Sequence, residues 1–168
     1  MAEDTSRPDT LNDVGVLTRR EIEARIVAPL LERLGERFGH DEVREVAQDV
    51  IVEVARTQGA ELAGLLGGNG LDHFADSMDN WTKGGALEVE VVERGAEVFA
   101  FNVTRCRYAE MYRDLGLADL GASLSCNRDG TMVQGFNPRI EFTRTQTIMS
   151  GASHCDFVYR LPETPVEL

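Results

Sequence analysis

Basic residues are scarce in this chain: 17 lysines and arginines stand against 29 aspartates and glutamates, a formal charge of −12. A field of that sign, with a pI near 4.6, repels phosphate backbones and anionic lipid, which sets aside nucleic-acid and membrane-surface binding. An anionic small-molecule substrate stays open only where a local arginine overrides the global field. Cysteine is also sparse. Three thiols cannot all pair within one chain, so a disulfide framework is excluded and each is free, metal-bound or catalytic. No stretch approaches the ~20 apolar residues of a membrane span. Met1 to Val14 carries acids and Pro8 where a secretory signal needs an apolar run. A cytoplasmic location with reduced thiols is the expectation. CxxC, HxxxH and HExxH spacings are missing, so no local metal motif exists and no cofactor is expected. Zinc is the alternative, assembled from single ligands on separate elements.

What is present is ordinary globular material: 168 residues, 42% of them hydrophobic and 27% charged. That length fits one domain with its own core. Residues 1–16 read as a flexible arm, 17–161 as a single domain and 162–168 as an irregular tail. Thr18 and Glu21 form a capping-box pattern. Behind it, Ile22, Ile26, Leu30, Leu34 and Phe38 recur every four residues as the stripe of a helix that Pro29 would kink. Asp41 can cap a second helix, whose stripe runs through Val43, Val46, Val50, Ile51 and Val54 and stops before Gly67 and Gly68. A third, short helix carries Leu71, Phe74, Met78 and Trp81.

At Gly84-Gly85 the period changes from helix to strand. Leu87, Val89 and Val91 alternate with glutamates, Glu93-Arg94-Gly95 reads as a turn, and Val98 to Val103 returns. Arg105–Leu115 and Leu117–Leu124 read as helices. Phe136–Met149 and Cys155–Leu161 read as extended. The grouping predicts an α+β fold: N-terminal helices on one face of an antiparallel sheet of about four or five strands, with two short helices inserted between strands.

The chemistry-bearing residues concentrate in the C-terminal half. Cys106, Cys126 and Cys155 lie there with Asp129, His154 and Asp156. These residue types serve a thiolate nucleophile with its base, or a zinc site, or, for the cysteines, an inert core. If Ser153–Arg160 is extended, Cys155, Phe157 and Tyr159 share one face, and His154, Asp156 and Val158 share the other. A His154–Cys155 dyad would then require a bend, and a base such as Asp129 from another element fits at least as well. Cys126 stands just ahead of Asp129-Gly130, which reads as a turn.

Four segments together resemble the L-2-amino-thiazoline-4-carboxylic acid hydrolase family: Cys106-Arg107-Tyr108-Ala109, Leu124 to Asp129, Phe142 to Thr147, and Gly151 to Tyr159 with its Cys-Asp-Phe core. A weaker similarity, in the Gly…Cys-x-Phe ending, is to small-molecule-binding domains named after a vinyl reductase. Some of those bind zinc through cysteines, so a non-catalytic binding or sensory module is the alternative function. The first resemblance implies hydrolytic opening of a small ring, a cyclic amidine, amide or imide. Attack on its C=N or C=O carbon needs a thiolate or an activated water, and an acid for the leaving heteroatom. Cys155 is the first choice of nucleophile and Cys126 the second. Asp129 and His154 complete the catalytic candidates. Arg144 is the candidate fork for a substrate carboxylate, with Asp156, Tyr108 and Thr147 around the substrate. The expected partner is that small molecule, and a homo-oligomer is compatible with the sequence.

Overall fold

Gly39 and Gly67 divide the N-terminal half into two long helices, α1 (Val16–Phe38) and α2 (His40–Leu66), in the computed structural model, which describes residues 13–162. The N-terminal arm through residue 12 and the tail from residue 163 lie outside the described residues. Gly67 takes the left-handed conformation and its N–H returns to Ala63 and Gly64, so α2 stops at the expected glycine. The two N-terminal caps are not as the sequence suggests. Helix α1 starts at Val16 behind Gly15 and α2 at His40 behind Gly39, and among the described residues neither has a side-chain cap. Starting before Thr18 places Val16 inside, against Ala86 and Tyr108.

The apolar stripes are a second correction. Ile22, Ile26, Leu30 and Phe38 are 54%, 65%, 53% and 60% exposed, and Val46, Val50 and Val54 are exposed on α2. The buried line of α1 is instead Ala24, Ala28 and Gly35, and that of α2 is Ile51, Ala55 and Gly59. Small residues let neighbouring backbones approach closely, and larger ones are turned outward. Helix α1 also runs unbroken through Pro29. Pro29 lies on the exposed side, where water can satisfy the carbonyl that the proline leaves unpaired.

Two short helices, α3 (Leu71–Asp76) and α4 (Asp79–Thr82), lead into the sheet. Strands β1 (Leu87–Arg94), β2 (Val98–Cys106), β3 (Glu141–Thr143) and β4 (Cys155–Arg160) lie in the order β1-β2-β4-β3, and all pairs are antiparallel. Helices pack beside this four-stranded sheet, so the α+β expectation holds. Between β2 and β3 come α5 (Arg107–Asp114), α6 (Ala118–Gly121), a π-helical turn at Ala122–Cys126 and α7 (Arg128–Phe136).

Helix α7 replaces the expected Asp-Gly turn. Its glycines serve packing. A methyl group on Gly135 would strike the Arg56 carbonyl of α2, one on Gly59 the Met132 carbonyl of α7, and one on Gly130 the Phe142 ring. The expected strand Phe136–Met149 accordingly shrinks to β3, because Phe136 closes α7 and Asn137 fixes the exit. The Asn137 amide donates to the Asn69 carbonyl at 2.9 Å, and its oxygen accepts from Arg139 N–H at 3.0 Å. Residues 144–154 form a loop. The principal core joins α3, α7 and the inner sheet face through Phe74, Phe99, Phe101, Val133, Phe136 and Tyr159. Phe74 and Tyr159 rings lie 4.9 Å apart and Phe101 and Phe157 4.8 Å.

Candidate functional site

Strand alternation points Cys155, Phe157 and Tyr159 of β4 inward, as the sequence predicts, together with Phe101 and Val103 of β2. These residues form one wall of a cavity of about 100 Å³. Since one ordered water needs ~10–15 Å³ by this measure, the space admits several waters or a small ring. Helix α7 supplies Arg128, Asp129 and Met132, the π-helical turn supplies Ser125 and Cys126, and α1 supplies Val16 and Arg20. Phe74, Trp81, Tyr108, Arg144 and Met149 complete much of the rest. The lining is mainly apolar, with charge gathered near α7.

Arg144 is not a free fork. Its Nη1 donates to Asp129 Oδ2, and its Nη2 donates to the Cys126 carbonyl at 3.3 Å. Phe142 and Phe157 hold the guanidinium from the side, with ring centroids 5.7 and 5.3 Å away. The Arg144 side chain therefore orients Asp129. Burial raises the Asp129 carboxyl to about 6, against the opposing pull of Arg144. A carboxyl at that level exchanges a proton near neutrality.

All three thiols line the cavity. Burial pushes Cys126 to about 12, with Asp129 adding to it, and Cys106 to about 11. Cys106 also caps α5, its sulfur accepting the Ala109 N–H at 3.4 Å. Burial raises Cys155 as well, but the Ile148 N–H, donating to its sulfur at 3.2 Å, and Arg144 both pull it back. Cys155 thus has both a backbone N–H and a guanidinium favouring its anion, where Cys106 has backbone N–H groups and Cys126 has Arg144. Among the described residues, no group of three or more His, Cys, Asp and Glu side chains is gathered to hold a metal ion.

Other sequence candidates fall outside the cavity lining. Asp156 faces the opposite side of β4, where it accepts from Thr145 N–H, Gln146 N–H and the Thr145 hydroxyl at 3.0, 2.8 and 2.6 Å. Burial tends to raise that carboxyl, but these hydrogen bonds outweigh it and hold the value below the ordinary range. His154 lies on the same outer side, with the Gln146 amide nitrogen 3.0 Å from Nε2. Thr147 donates to Ser150 Oγ and so closes the loop turn. Asp156, His154 and Thr147 fasten the loop that carries Arg144. Tyr108 does line the cavity, its hydroxyl donating to the Trp81 carbonyl at 3.3 Å.

Arg20 and Arg128 are cavity residues that the sequence reading did not single out. Arg20 is spaced by fours from Ala24 and Ala28, so the small-residue line of α1 carries the signal for its inward position.

No curated protein matches this chain. Among solved structures, the phenol-responsive sensory domain of the transcription activator PoxR, with phenol, is similar at a TM-score of 0.50 and 11% identity, over 80% of this chain and 72% of that one. A trafficking protein particle complex subunit 3 from Naegleria fowleri, covalently bound to palmitic acid, is similar at a TM-score of 0.51 and 10% identity, over 89% of this chain and 99% of that one. At such identities these two show a shared fold. Residues 19–159, α1 through β4, match the model of one protein family. The chain belongs to the L-2-amino-thiazoline-4-carboxylic acid hydrolase family.

Proposed function

We propose that this protein hydrolyses a small heterocyclic ring, a cyclic amidine, amide or imide resembling aminothiazoline carboxylate, in the cavity between α7 and the sheet. The observation that carries the reading is the Asp129 carboxyl, held near 6, on the same cavity as Cys155. In the proposed sequence, Asp129 takes the thiol proton as the Cys155 sulfur adds to the ring C=N carbon. The C–S bond of the ring breaks, and the departing sulfur receives that proton from Asp129. An amidine carbon remains bound to Cys155. Water then adds to this carbon, and Cys155 leaves as the thiol, giving a carbamoyl product. One water is consumed and the protein returns unchanged. Arg144 keeps Asp129 aimed, and the aromatic walls limit access of bulk water.

A second reading has its own support. All three thiols are raised by burial, which suits a site that binds a small molecule without attacking it. Ring opening of L-2-aminothiazoline-4-carboxylate and related rings, followed by proton NMR, separates the two. The hydrolase reading expects turnover by the wild type and loss of at least about a hundredfold in Cys155→Ser. Saturable binding without turnover of any ring would establish the binding module instead.

A further inference from the structure

Arg20 and Arg128 share one carboxylate. Arg20 Nη1 donates to both oxygens of Glu23 at 2.8 Å, and Arg128 Nη2 reaches Glu23 Oε2 at 3.2 Å. Both guanidinium side chains are nearly buried, 11% and 12% exposed. Arg128 Nε donates to the Leu124 carbonyl at 2.9 Å, but its Nη1 is buried with no partner among the described residues. Burial and the neighbouring Arg20 pull the Arg128 guanidinium down to about 10. Asp129 is already engaged by Arg144. Among the described residues, three cavity-lining arginines thus face two carboxylates, Asp129 and Glu23, and one positive charge is left over. In a chain of charge −12 this surplus is local and enclosed. A buried donor without an acceptor is costly, and the missing partner has the character of an anion.

We infer that Arg20 and Arg128 form an anion subsite that anchors the carboxylate of a small ring whose apolar part lies against the aromatic wall. This deepens the hydrolase reading and rests on the same cavity, but it assigns the carboxylate to this pair rather than to Arg144.

The test reads binding, not turnover. Calorimetric titration uses benzoate and its neutral analogue benzamide on wild type, Arg20→Gln, Arg128→Gln and Glu23→Gln. Wild type should prefer benzoate by about tenfold or more, the worth of one charge-assisted contact. Each arginine variant should lose about tenfold for benzoate and keep its benzamide affinity. Glu23→Gln should strengthen benzoate binding, because it releases both guanidinium groups, and this arm stays informative if an arginine variant does not fold. Equal affinity for the two probes, no benzoate binding, or equal losses for both probes overturns the subsite. Because no step involves catalysis, a protein that discriminates the probes but opens no ring would refute the hydrolase reading alone.

A different observation concerns the outer face of the helical pair. Ile22, Ile26 and Leu30 on α1, and Val46, Val50 and Val54 on α2, are exposed at four-residue spacing on adjacent helices. With Phe38 they leave on the order of 700 Å² of apolar surface uncovered, above the ~300–600 Å² patch of an ordinary monomer and near the ~800 Å² each partner buries in a standard interface. Helix α2 exposes Glu42, Glu45, Asp49, Glu53 and Glu61 beside Arg44 and Arg56, while on α1 Arg25 and Arg33 are already paired with Glu21 and Glu36. We also infer that a second copy of this chain covers this face, its α1 against α2, because the uncovered area approaches what each partner of a standard dimer buries. Sedimentation velocity should find a dimer. Ile26→Glu and Val50→Glu should each give a monomer that keeps the wild-type circular dichroism spectrum. A wild-type monomer at micromolar concentration, or a dimer indifferent to both changes, overturns it.

Discussion

Asp129 holds its proton more readily in the folded protein than in the unfolded chain, since burial moves the carboxyl from 3.8 to about 6. Its contribution to stability is therefore complete below 3.8 and lost as pH rises through 6. Asp129→Asn removes that dependence. The stability difference between wild type and this variant, measured by urea unfolding, should move against the wild type between pH 4 and 6. The same ionisation governs the proposed base. The rate of ring opening should rise with pH to a plateau above about 6, and Asp129→Asn should lower the plateau by ~10²–10⁴-fold. A wild-type profile flat from pH 5 to 7 would remove Asp129 from the reaction. At this scale the sequence was informative for Cys155, Cys126 and Asp129, whose residue types stand in short recognisable segments. It was less so for Arg144, Asp156 and His154, because the identity of a side chain does not reveal which partner it already has.

The crossing of α2 and α7 positions Arg128, Asp129 and Met132, and it depends on Gly59 and Gly135. Each sits where an added methyl group would meet backbone of the opposite helix. Backbone cannot turn aside as a side chain can, so Gly59→Ala or Gly135→Ala should cost about 1–3 kcal/mol or more and move α7 relative to the sheet. Thermal unfolding measures the cost. Ring or benzoate binding should weaken together with it, because the cavity wall shifts. Unchanged stability in both variants would mean that the crossing relaxes freely. The sequence hid this element for the same physical reason. Gly130 looks like a turn residue beside Asp129, and only the approach of Phe142 and α2 shows Gly130 and Gly135 to be packing residues inside a helix. The long strand expected over Phe136–Met149 failed with it. The hairpin β1–β2 was legible because alternation with Glu88 and Glu90 marks a wet face directly.

For the whole molecule, a net charge of −12 surrounds a cavity that carries a local positive surplus. Salt at ~0.5 M screens the outer field strongly but an enclosed contact much less. Benzoate affinity should thus hold steady or rise with ionic strength, whereas an arginine site on the surface would weaken. Fold class was readable from the order of helical and alternating segments. The strand order β1-β2-β4-β3 was not, because periodicity says which face is wet and not which strand is neighbour. Nor were the buried faces of α1 and α2, since a four-residue apolar repeat marks a face without saying what covers it. Cys155 and Asp129 are proposed to work together in one hydrolytic site. Rapid quench with L-2-aminothiazoline-4-carboxylate, followed by peptide mass spectrometry, tests this most directly. It should find a transient adduct on the Cys155 peptide that accumulates during single turnover and is missing in Cys155→Ser. Ring opening without any adduct, at a rate that Cys155→Ser retains, would contradict it.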